Sequence, residues 1–95
     1  MKKTFRQSLR AHLEKIDFQP KYGKKVYKLK SISDNFITMY VYRDEFGEGE
    51  EGRKMMDAYI DNVGRFVEQK HPTKSLIADI IFRKKGNMKN VEKYP

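Results

Sequence analysis

Ninety-five residues without a cysteine, 38% hydrophobic and including six Phe and six Tyr, describe one small domain with a modest core. They exclude disulfides, thiol nucleophiles and cysteine-based metal sites. The 21 Lys and Arg against 13 Asp and Glu give a net charge of +8, distributed as net +8 over residues 1–30, −4 over 31–70 and +4 over 71–95. Clustered positive charge of this kind attracts polyanions, nucleic acid above all.

The N-terminal stretch MKKTFRQSLRAHL carries the charge of a signal peptide, but Arg6, Gln7 and Arg10 interrupt any apolar stretch. No segment approaches the ~20 apolar residues of a membrane span, so the expectation is a cytoplasmic protein without membrane insertion. Phe5, Leu9, Leu13 and Ile16 recur at helical spacing and predict a first helix over Lys3–Ile16. His12 falls at the edge of this stripe, where a packed histidine is expected rather than a catalytic one. Lys2, Arg6 and Arg10 stand at four-residue steps on its polar side. Pro20 and Gly23 then end the element.

KKVYKLKSI, Lys24 to Ile32, alternates: Tyr27 and Leu29 fall on one side, Lys28 and Lys30 on the other. SDN supplies a turn, and FITMYVYR is rich in β-branched and aromatic residues, so the two segments predict an antiparallel hairpin. Lysines interleave with aromatics here. Lys21, Lys24, Lys25, Lys28 and Lys30 can follow a phosphate backbone while Tyr22, Tyr40 and Tyr42 stack on unpaired bases. Tyrosine also favours half-buried strands for packing reasons alone.

DEFGEGEEGRKMM spaces Gly47, Gly49 and Gly52 as a dinucleotide fingerprint does, yet Asp44, Glu45, Glu48, Glu50 and Glu51 would repel a pyrophosphate. The carboxylates do not alternate as in a calcium loop either. Acidic residues suit a first helical turn, and the stretch therefore reads as the lead-in to a second helix. Met56, Tyr59, Ile60, Val63, Phe66 and Val67 form its stripe, with Asp61–Arg65 and Lys54–Asp57 spaced to pair on the opposite face. Gly64 in mid-helix points to a close neighbour, and Pro72 ends the helix near Lys70.

SLIADIIF has strand length. Leu76, Ala78, Ile80 and Phe82 are expected to face the helices, leaving Ile77, Asp79, Ile81 and Arg83 outward, since an unpaired carboxylate is costly to bury. Two outward isoleucines imply that this face is partly covered, by the tail, a partner or a second copy of the chain. RKKGNMKNVEKYP reads as a basic tail.

The sequence thus predicts an α+β domain over residues 1–85, in the order helix, strand, strand, helix, strand, followed by a flexible tail over 86–95. A three-stranded sheet carries both helices on one face. The expected function is nucleic-acid binding through Lys2, Arg6, Arg10, Lys21, Tyr22, Lys24, Lys25, Lys28, Lys30, Tyr40, Tyr42, Arg83, Lys84, Lys85 and Lys89. The alternative is an adaptor or inhibitor that docks an acidic protein through separated acidic and basic surfaces, and self-association as a homodimer fits either. Asp57 with Asp61, or Asp79 near Lys84 and Lys85, faintly resembles metal-dependent nuclease chemistry. No nucleophile with an adjacent base accompanies them, so neither catalytic residues nor a cofactor or metal is expected.

Overall fold

The computed structural model describes residues 4–16, 20, 25–82 and 91–93, the last group by backbone alone. Helix α1 (Phe5–Lys15) starts where Thr4 can cap it: the Gln7 backbone N–H donates to Thr4 Oγ1 (3.1 Å) and the Thr4 N–H donates to Gln7 Oε1 (2.9 Å). This reciprocal box satisfies two backbone donors that a helix start leaves open. Leu9 and Leu13 are buried, and Phe5 and Ile16 pack against the same core.

Strands β1 (Tyr27–Ile32) and β2 (Phe36–Tyr42) form the antiparallel hairpin. Its turn is closed by Ser33 and Phe36, and Lys74 Nζ donates to the carbonyls of Ser33 and Asp34. The alternation of β1 carries an irregularity between Leu29 and Ser31. One extra residue there reverses the strand's parity, so Tyr27, Leu29 and Ile32 all lie opposite the inward residues Val41, Met39 and Ile37. The bulge reconciles the sequence with a single apolar face.

After β2, a short 3₁₀ turn (Arg43–Phe46) leads into α2 (Gly49–Lys70). Arg43 donates from Nη1 to the Gly47 carbonyl and from Nη2 to the Gly49 carbonyl (2.8 Å), so a guanidinium holds the glycine-rich stretch in place. Gly47 and Gly49 have φ of 95° and 71°, a region that L side chains resist. Gly49, Glu50 and Glu51 form the first turn of α2, where the carboxylates complement the helix dipole. The stretch is a helix start, as its composition predicts.

On α2, Met56, Tyr59, Ile60, Val63 and Val67 are buried. Asp61 and Arg65 pair at 3.2 Å, but Asp57 pairs with Arg53 (3.3 Å) in place of Lys54, because the four-residue step brings these side chains together. At Gly64 the expected close approach is absent: an added Cβ would meet its nearest neighbour, Leu76 Cδ2, at 4.0 Å. The helix ends at His71, whose backbone has left the helical region just before Pro72.

Strand β3 (Ser75–Ile81) runs parallel to β2, so β2, α2 and β3 form a crossover unit. Both helices cover one face of the mixed sheet β1-β2-β3, packing on Ile37, Met39, Val41, Ala78 and Ile80. Full burial of each large aliphatic side chain there contributes about 1.5–3 kcal/mol. In the segment assigned to a flexible tail, Val91–Lys93 form β4, antiparallel to β3, which makes β3 an interior strand. The rest of that tail lies outside the described residues. Among the described residues, no helix is long and apolar enough to cross a membrane.

Candidate nucleic-acid interface

With both helices on one face, the other face of the sheet is set by strand parity. Phe36, Thr38, Tyr40 and Tyr42 of β2 point there, flanked by Lys28 and Ser31 of β1 and by Ser75, Ile77, Asp79 and Ile81 of β3. Lys28, Tyr40 and Asp79 occupy one cross-strand row, and Ser31, Thr38 and Ile77 another. At the bulge, Lys30 swings over this face, its Nζ 5.2 Å from the centre of the Tyr40 ring. Tyr40 thus has the Lys30 ammonium by its ring and Lys28 as its cross-strand neighbour. Phe36 is 48% exposed at one end of the face.

The far end of β3 is different. Ile81 and Asp79 are 2% and 9% exposed although their parity is outward, in keeping with the expectation that two outward isoleucines mean a partly covered face. Asp79 nevertheless departs from the rule that placed it outward for solvation: its Oδ1 is buried, with no hydrogen-bond partner among the described residues. Phe82 is half-buried just beyond the strand.

Of the fifteen residues expected to bind nucleic acid, Lys28, Lys30, Tyr40 and Tyr42 come together on this outer face. Arg6 and Arg10 are exposed on α1, in the opposite layer, so one strand lying across the sheet would not meet them. Lys25 is engaged on that same side: its Nζ donates to Glu14 Oε1 at 3.1 Å, beside the Tyr27 hydroxyl, which donates to the same oxygen at 2.9 Å. These two bonds, the tyrosine's first, hold the Glu14 carboxyl below its ordinary range. Burial, followed by the Glu14 bond, pushes the Tyr27 phenol up to about 12. Lys2, Lys21, Tyr22, Lys24, Arg83, Lys84, Lys85 and Lys89 lie outside the described residues.

Phe36 is the aromatic that the sequence reading passed over, although it shares the parity of Tyr40 and Tyr42. His12 is packed, as expected: it stacks on Phe66, with ring centres 4.2 Å apart, and bonds Asn62 at 2.7 Å. Among the described residues no group of three or more His, Asp or Glu could hold a metal ion.

Comparison with known proteins returns no match: neither a protein family, nor a curated protein, nor a solved structure resembles this chain. The chemistry of the face therefore has to speak for itself. The exposed Phe36 and the half-buried Tyr40 and Tyr42 offer ring surface for stacking on unpaired bases, and neighbouring lysines offer counter-charges for phosphates. Lys28 and Lys30 also suit the place of β1 as an edge strand, where lysines with a bulge discourage pairing with another chain.

Proposed function

We propose that this chain is a non-enzymatic nucleic-acid-binding domain that lays a single strand across the outer face of its sheet. The grouping of Lys28, Lys30 and Tyr40 supports this reading most strongly, because it joins phosphate counter-charge, from the cross-strand Lys28 and the bulge Lys30, to a stacking ring. Bases stack on Tyr40, and on Tyr42 and Phe36 along the same strand, with each stacked base contributing about 1–3 kcal/mol. A duplex, whose bases are already stacked, would gain from the lysines alone.

Fluorescence anisotropy with labelled single-stranded DNA, duplex DNA and RNA, each at several salt concentrations, tests the reading. Micromolar or tighter binding is expected, with single strands preferred over duplex and affinity falling steeply with salt. No binding at low salt would refute it.

One observation favours an adaptor as the second reading. Glu48, Glu50 and Glu51 stand exposed at the start of α2, forming an acidic surface apart from the lysines of β1. A basic protein partner that docks there would show salt-sensitive binding that nucleic acid does not displace.

A further inference from the structure

Helices α1 and α2 run antiparallel. Phe5 meets His71 edge-on at 4.3 Å, while His12, two turns further along α1, reaches Phe66 and Asn62. Between them lies an open groove of about 320 Å³ lined by Ser8, Ala11, His12, Lys15, Phe66 and Lys70. The four α1 residues share one helical stripe, and Phe66 and Lys70 are one turn apart on α2. Lys15 and Ser8 stand about 10 Å apart along the axis, within reach of flexible lysine side chains from either end.

The lining has an unusual balance. It contains two lysines and no carboxylate, and among the described residues neither Lys15 nor Lys70 has an ion-pair partner. Lys70 Nζ lies 5.9 Å from the centre of the Phe66 ring, whose face also packs against His12. His12 is held in this wall by its Nε2 contact with Asn62 Oδ1 (2.7 Å). Neither lysine has a carboxylate one turn away with which it could pair along its own helix; both line the groove.

We propose that this groove binds an organic phosphate monoester. Lys15 and Lys70 balance the two charges of the phosphate, the Ser8 hydroxyl donates a hydrogen bond to it, and Ala11 and Phe66 take the apolar body of the ligand. The volume stands at the lower end of small-ligand sites, which fits a single-ring ester. The groove lies in the helix layer, so this inference stands apart from the nucleic-acid reading of the outer face.

Phenyl phosphate is a suitable probe, with inorganic phosphate and benzoate as its two halves. Backbone amide shifts are followed on titration. Saturable binding with Kd of about 1 mM or tighter is expected, with shifts concentrated in residues 8–15 and 62–70 and both half-probes at least about fivefold weaker. Lys15→Gln and Lys70→Gln, at exposed positions, each weaken it about fivefold, whereas Lys28→Gln on the outer face leaves it unchanged. A 5′-phosphorylated oligonucleotide that shifts these amides while phenyl phosphate does not would make a strand end the ligand and overturn the small-ester assignment. Shifts that do not saturate, that spread over every lysine-bearing element, or that persist in both groove variants would overturn the site itself.

Discussion

One methyl group added at Gly52 is expected to destabilise the fold by about 2–4 kcal/mol, whereas the same methyl at Gly64 is expected to stabilise it by about 0.5–1 kcal/mol. Both glycines lie within α2, where the backbone preference for Ala is the same at either position. The difference lies in what the new atom meets. A Cβ at Gly52 would overlap the Gly47 carbonyl oxygen and sit 2.6 Å from its carbon and 2.9 Å from Arg43 Nη1. To escape, the loop must move away from the guanidinium that holds it, and a hydrogen bond to a charged group contributes about 1.5–3 kcal/mol. At Gly64 the nearest atom is a leucine methyl at 4.0 Å, an ordinary contact. Urea unfolding followed by circular dichroism gives both values, and in a domain of this size Gly52→Ala should lower the melting temperature by more than about 10 °C. A Gly52→Ala midpoint equal to wild type, or a destabilised Gly64→Ala, would refute the reasoning.

Three further substitutions probe the rest of the structure. Thr4→Ala breaks the capping box and is expected to cost about 1 kcal/mol in urea unfolding; no loss would mean that α1 does not depend on its cap. Asp79→Asn removes charge from a carboxylate with one buried oxygen that has no partner among the described residues and is expected to raise stability by about 1 kcal/mol, whereas a loss would reveal a partner for the charged form. Tyr27→Phe removes the bond to Glu14 and costs about 1 kcal/mol near neutral pH. Because folding raises the Tyr27 pKa to about 12 from its ordinary 10, its contribution is complete below that ordinary value and is lost as pH rises through the higher one. Burial raises the Tyr59 phenol as well, so Tyr27→Phe should make the alkaline loss of stability shallower without abolishing it. An unchanged alkaline decline would assign the whole effect elsewhere.

Patterns that depend on neighbours along the chain were legible in the sequence. The stripes of α1 and α2, the hairpin, the inward set of β3 and the helix-start role of the acidic glycine stretch follow from periodicity and local chemistry. What escaped depends on long-range geometry. The bulge in β1 is visible once Ile32 must share a face with Leu29 and Tyr27. Val91–Lys93 form a strand because β3 offers them an edge, which a short polar sequence does not announce. Net charge, likewise, does not say which basic residues share a surface: Lys28 and Lys30 stand with Tyr40, while Lys25 is tied to Glu14 and Arg10 belongs to the helix layer. Phe66 packs against the core, as its place in the stripe predicts, and the antiparallel meeting of two helices also makes it the wall of a groove.

The most direct test of the nucleic-acid account compares two variants by anisotropy with the same labelled single strand at low salt. One variant carries Lys28→Gln, Lys30→Gln and Tyr40→Ala on the outer sheet face; the other carries Arg6→Gln and Arg10→Gln on α1. The account predicts that the sheet variant loses at least about tenfold in affinity and much of its salt dependence, since one stacked base and two phosphate contacts are removed, while the helix variant binds within about twofold of wild type. A helix variant that loses binding while the sheet variant keeps it would contradict the account and move the interface to the opposite layer.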